Sequence, residues 1–157
     1  MDALVSIALP RQAYTVAVVR DILDTLLVRG GLCRGCVDDI LLAVSEACAN
    51  AVDHGDPAHE YTVETDLGPR WCDVRVSHVG KAAPDRSFSE RFTSDRPSFP
   101  GFESISGRGI LLMRYLMDEV AFEIEPRTTV LLRKRRTACD RPLEEPRSTR
   151  ATKYALL

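Results

Sequence analysis

Along residues 3–9 apolar positions alternate, with Ala3, Val5, Ile7 and Leu9 on one side and Leu4, Ser6 and Ala8 on the other, until Pro10 ends the run. A period of two predicts a strand. From Arg11 the spacing lengthens: Val16, Val19, Leu23, Leu26 and Leu27 recur at helical intervals, and Gly30-Gly31 supplies a left-handed stop. Val37, Ile40, Leu41, Val44 and Cys48 repeat at steps of three and four, with Asp38 and Asp39 where a helix dipole favours negative charge. This predicts a second helix running to about Asp53 and closed by His54-Gly55. Residues 61–67 and 71–77 read as two strands around a Gly68-Pro69-Arg70 turn. Residues 80–106 lose all periodicity and carry Pro84, Pro97, Pro100 and three phenylalanines. A structureless stretch of that length inside a small domain is characteristic of a functional lid or a disordered segment. Gly107-Arg108-Gly109 then opens a third apolar helix through Ile110, Leu111, Met113, Leu116 and Met117. Val120, Phe122 and Ile124 alternate, Glu125-Pro126-Arg127 turns, and residues 128–133 alternate again. The order predicts an α/β two-layer sandwich, with a mixed, mostly antiparallel sheet covered by helices on one face.

Length and composition narrow the class. The chain has 157 residues, about one domain, and its 45% hydrophobic and 28% charged content suits a soluble globular fold rather than a disordered one. No apolar run approaches the ~20 residues needed to cross a bilayer, and the N-terminus lacks the features of a signal peptide. The expectation is a cytoplasmic protein without membrane contact. Twenty-one Lys and Arg against 23 Asp and Glu give a net charge of -2, which offers no basic field for nucleic acid. Beyond Lys134 the chain turns to Arg, Pro, Glu, Ser and Thr, so a folded domain over 1–134 and a flexible tail over 135–157 are expected. The tail carries +3, which leaves the folded part at -5. Five cysteines (Cys33, Cys36, Cys48, Cys72, Cys139) cannot all pair within one chain, and a reducing compartment with free thiols is the simplest account.

On the second helix Glu46, Asn50 and Asp53 fall at i, i+4 and i+7, a polar stripe opposite the apolar one. Alone, such a stripe is an ordinary solvated helix face. The full string Glu46-Ala47-Cys48-Ala49-Asn50-Ala51-Val52-Asp53-His54-Gly55, however, resembles the N-box of the ATPase superfamily shared by DNA gyrase and histidine kinases, and most of all the anti-sigma-factor serine/threonine kinases. The stretch from Gly107-Arg108-Gly109-Ile110 to Met117-Asp118-Glu119-Val120 is similar to that family's second glycine box.

The resemblance implies a Bergerat-type ATPase fold that binds ATP and Mg²⁺. It makes Glu46 the general base and Asn50 a Mg²⁺ ligand, with Asp53 beside them. It makes Gly107, Arg108, Gly109 and Ile110 the phosphate cradle, and residues 80–106 a lid. Oxygen ligands suit Mg²⁺, helix-start amides suit phosphate, and a carboxylate one turn away can deprotonate a hydroxyl. The partners implied by the resemblance are a sigma factor, an anti-anti-sigma (STAS-type) protein and a second copy of the chain.

One position departs from the pattern. The family's first glycine box reads Asp-x-Gly-x-Gly, its Asp accepting from the adenine amino group; here His78-Val79-Gly80-Lys81-Ala82 stands in its place. His78 and Gly80 are therefore assigned to the nucleotide site, with a weakened adenine contact. Two other features are tempting. Cys33-Arg34-Gly35-Cys36 could be redox active or supply half a zinc site, but no second ligand pair follows, and an incidental pair of loop cysteines is the simpler reading. Arg133-Lys134-Arg135-Arg136 could touch acidic partners or nucleic acid, but a solvated end to the last strand is the simpler reading. Two functions fit: an anti-sigma factor that phosphorylates Ser or Thr of its anti-anti-sigma partner, or a regulator of the same fold that binds nucleotide weakly and acts by sequestration.

Overall fold

The computed structural model describes residues 2–80, 105–123 and 127–136. Strand β1 (Ala3–Leu9) is followed by helices α1 (Tyr14–Arg29) and α2 (Arg34–His54), strands β2 (Tyr61–Leu67) and β3 (Trp71–His78), helix α3 (Ile105–Leu116), and strands β4 (Glu119–Glu123) and β5 (Thr128–Arg135). The strands form one sheet in the order β1-β2-β3-β5-β4. All four pairings are antiparallel, so the mostly antiparallel sheet expected from the hairpins contains no parallel pair among the described strands.

The three helices pack as a layer on one face of the sheet, with α2 in the middle, in contact with α1, α3, β3 and β5. Its apolar stripe of Val37, Ile40, Leu41, Val44, Ala47, Cys48 and Ala51 is buried against Val63, Leu67, Val74, Val76 and Leu132 of the sheet and Val19, Leu23 and Leu27 of α1. The small residues Ala43, Ala47 and Ala51 let neighbouring elements approach closely. Beneath this layer the Thr15 and Tyr61 hydroxyls share a buried hydrogen bond of 2.7 Å. Burial pushes both the Tyr61 phenol and the neighbouring Cys48 thiol up to about 12.

The connection from α1 to α2 uses Gly31 at φ 85, the left-handed geometry expected of the Gly30-Gly31 stop, while Gly30 itself stays helical. The basic run at the end of β5 is tied inward rather than solvated. Arg133 forms a two-pronged pair with Asp73, both contacts 2.8 Å, and lies over the Trp71 ring. Lys134 reaches Asp39 of α2 (3.0 Å) and the Leu116 carbonyl at the end of α3 (2.6 Å). Arg136 donates to the carbonyls of Gly68 (2.6 Å) and Gly30 (2.7 Å), and its amide donates to Arg70 (2.8 Å). Only Arg135 of the four is exposed. The expected tail beyond Arg136 and most of the expected lid, 81–104, lie outside the described residues.

The cysteines depart from the expectation of free thiols throughout. Cys36, Cys48 and Cys72 form no disulfide, but Cys33 is disulfide-bonded. The Cys-x-x-Cys pair is therefore not closed on itself, and buried Cys36 is no partner for Cys33.

Candidate functional site

Helix α2 runs unbroken for 21 residues, so it carries Glu46, Asn50 and Asp53 on one rigid rod with about 1.5 Å of rise per residue. Glu46 and Asn50 are half-buried because α3 packs beside this stretch, whereas Asp53, near the helix end, is exposed. Helix α3 begins at Ile105, two residues before the glycine pair, which places Gly107 in its first turn, where backbone amides have no partner within the helix. Arg108 is exposed, and Ile110 is turned into the core at 3% exposure, packing against it rather than facing a ligand.

The two helices meet where Gly109 faces Glu46. A Cβ on Gly109 would stand 2.8 Å from Glu46 Oε2, inside contact distance. The missing side chain at Gly109 is thus what lets the carboxylate of α2 lie against the backbone at the head of α3. The two residues stand more than sixty positions apart in the chain, and the fold brings them together.

The far end of the site forms where α2 stops. Gly55 bridges to Gly80 in an isolated antiparallel pair, and the Asp56 amide donates to the Val79 carbonyl at 2.8 Å. These bonds draw the segment from His78 to Gly80 against the C-terminus of α2. A Cβ on Gly55 would meet the Ala51 carbonyl oxygen at 2.8 Å, Arg11 Nε at 2.9 Å and His78 Cδ2 at 3.1 Å. Arg11 donates through Nε to the Ala51 carbonyl (3.0 Å) and through Nη2 to that of Val52, a cation placed on the negative end of the helix dipole. No local pattern announced this contact, which spans 40 positions. His78 is buried, and burial together with Arg11, His54 and Arg127 holds its imidazole down at about 4. It is neutral at physiological pH, with one ring nitrogen donating and the other accepting.

Asn50 offers an amide oxygen one turn from the Glu46 carboxylate, a hard-oxygen set of the kind that suits Mg²⁺. Among the described residues no group of three or more His, Cys, Asp and Glu is gathered to hold a metal. A Mg²⁺ ion here would take most of its ligands from phosphate and water. Also among the described residues, no helix is long and apolar enough to cross a membrane.

A three-helix layer on an antiparallel sheet, with Glu46 of one helix set against Gly109 of another, defines a two-layer α/β protein with its candidate site between two helices. Residues 9–134 match the family described as the histidine kinase-like ATPase domain, and the chain belongs to that family. Among curated proteins it is similar to the serine-protein kinase RsbW of Listeria innocua, 28% identical over 141 residues covering 85% of this chain and 88% of that protein. It is likewise similar to RsbW of Bacillus subtilis, 28% identical over 137 residues covering 83% and 84%. Among solved structures, the RsbU and RsbW domains of Rv1364c from Mycobacterium tuberculosis superpose with a TM-score of 0.63 at 20% identity. That match covers 85% of this chain and 32% of the solved one, and it shows a shared fold.

Proposed function

We propose that this protein is an anti-sigma factor kinase: it holds a sigma factor, and transfers the terminal phosphoryl group of a magnesium-bound nucleoside triphosphate, by family ATP, to a Ser or Thr hydroxyl of an anti-anti-sigma partner. The observation that carries the reading is the contact between Glu46 and Gly109. It sets a carboxylate beside the helix start that the phosphates would occupy. A regulator that only sequestered its partners would have no need of that arrangement.

In this reading Glu46 accepts the proton of the attacking hydroxyl, and a carboxylate held half-buried against backbone is oriented for the task before the substrate arrives. The first-turn amide of α3 at Gly107 donates to a phosphate oxygen, and the exposed Arg108 guanidinium neutralises part of the phosphate charge. Asn50 would hold Mg²⁺, whose chemistry is to withdraw charge from the phosphates as the bond to the leaving oxygen breaks. Asp53 and Gly80 border the site from the end of α2 and the end of β3. Ile110 supports the cradle from behind.

Sequestration without turnover remains the second reading, because the interactions that reach His78 come from cations and no carboxylate occupies the position. Calorimetric titration with Mg-ATP and Mg-GTP separates the two. The kinase reading expects micromolar binding of at least one, with Asn50→Ala losing the Mg²⁺ dependence; millimolar or absent binding of both would leave sequestration.

A further inference from the structure

Cys33 is disulfide-bonded, whereas Cys36, Cys48 and Cys72 form no disulfide. The chain has five cysteines, so the one left to pair with it is Cys139. Cys139 lies outside the described residues, but the strand that leads to it ends close to Cys33. Arg136, the last described residue, donates through Nη2 to the Gly30 carbonyl at 2.7 Å, and a Cβ on Gly31 would stand 3.9 Å from the same nitrogen. Its amide donates to the Arg70 carbonyl at 2.8 Å, which fixes the backbone as well as the side chain. Cys33 follows Gly30 by three residues, and Cys139 follows Arg136 by three, a length of chain that spans up to about 10 Å.

We infer that Cys33 and Cys139 form a reversible thiol–disulfide couple, a redox-sensitive clasp that ties the segment after β5 to the start of α2. The inference is independent of the nucleotide-binding reading. A domain of this size with a continuous hydrophobic core folds without disulfides, so the bond is not required to hold the fold. Cys33 is half-buried, unlike Cys36, which is sealed in the core at 4% exposure, so a small thiol or disulfide reaches its sulfur. It also caps the N-terminus of α2, where the helix dipole stabilises an anion, and its sulfur therefore serves as the attacking thiolate.

Oxidation proceeds by exchange with a low-molecular-weight disulfide. The Cys33 thiolate attacks one sulfur of that disulfide, a mixed disulfide forms, and one small thiolate leaves. The Cys139 thiolate then attacks Cys33 Sγ and expels the second small thiolate. The two protein thiols lose two electrons, the small disulfide is reduced to two thiols, and the two protons pass to them. A small dithiol runs the same steps in reverse. The closed bond encloses residues 33–139, nearly the whole fold after α1, and so restrains the unfolded chain.

The test is peptide mapping and thermal melting of the full chain equilibrated with oxidised glutathione or with dithiothreitol. Trypsin cuts after Arg29, Arg34, Arg136 and Arg147, which isolates Cys33 and Cys139 in peptides 30–34 and 137–147 with no other cysteine. The expected result is one ion joining these two peptides in the oxidised monomer, replaced by the separate peptides after dithiothreitol. The reduced protein should melt about 10 °C lower than the oxidised one. Cys33→Ser and Cys139→Ser should melt like the reduced wild type under both conditions. Serine is a favoured helix cap, so the loss at position 33 reports the bond and not the cap. Absence of the joined ion, a Cys33 linkage between two copies of the chain, a bond that resists dithiothreitol, or equal melting of the oxidised and reduced wild type overturns the inference.

Discussion

A methyl group added at Gly109 tests chemistry, and the same group added at Gly55 tests packing. At Gly109 the obstacle is Glu46 Oε2, the free end of a flexible side chain, which can swing away. Gly109→Ala should therefore keep its stability, within about 1 kcal/mol by urea titration, since alanine also favours a helix. It should nonetheless displace the carboxylate and slow phosphoryl transfer about as much as Glu46→Gln does. At Gly55 the obstacle is the Ala51 carbonyl, which is fixed backbone. Gly55→Ala should cost about 1–3 kcal/mol. His78 adds a pH signature. Its folded value of about 4 lies below the ordinary 6.5, so between these pH values the unfolded chain binds a proton that the folded chain does not. Stability then rises with pH across that window, by on the order of 2–3 kcal/mol in total, and this group contributes no slope above it. Subtracting the stability profile of His78→Asn from that of the wild type should show this slope. A flat difference from pH 4 to 6.5 would mean that the imidazole is not held neutral by its burial and by Arg11, His54 and Arg127.

Between elements, the bonds that matter most were the least legible in the sequence. Periodicity places β1, α1, β2 and β3 to within a few residues, because each buries one face and its pattern is local. It starts α2 at Val37 and the third helix at Ile110, whereas the helices begin at Arg34 and Ile105. The first turn of α2 is held by the Arg34–Asp24 ion pair and not by an apolar stripe. The Glu46, Asn50 and glycine-box residues were legible because their motif is a short string. Arg11 was not, since it acts through a backbone carbonyl 40 positions away. The run of four basic residues at the end of β5 misled for the same reason: three of its members are used inside the fold. Arg136 joins the β2–β3 turn to the end of α1, with two side-chain bonds and one amide bond. Arg136→Ala should thus lower unfolding free energy by about 2 kcal/mol, and Arg135→Ala, at an exposed site, by under ~0.5 kcal/mol. Equal effects in chemical denaturation would contradict that division.

For the molecule as a whole, the fold works as a frame that brings two distant strings of sequence to one line. Helix α2 is the ruler, with the carboxylate and the glycine-opened head of α3 near its middle and a donor-rich end where β3 is drawn to its C-terminus. The proposed phosphoryl transfer runs along that line. The direct measurement is mass spectrometry of an anti-anti-sigma partner incubated with Mg-ATP or Mg-GTP and either wild type or Glu46→Gln. The account predicts that the wild type adds one phosphoryl group to a Ser or Thr of the partner, and that Glu46→Gln binds nucleotide within about twofold but transfers at least ~10²-fold more slowly. Transfer by Glu46→Gln at the wild-type rate, or no transfer by the wild type from either nucleotide, would contradict it.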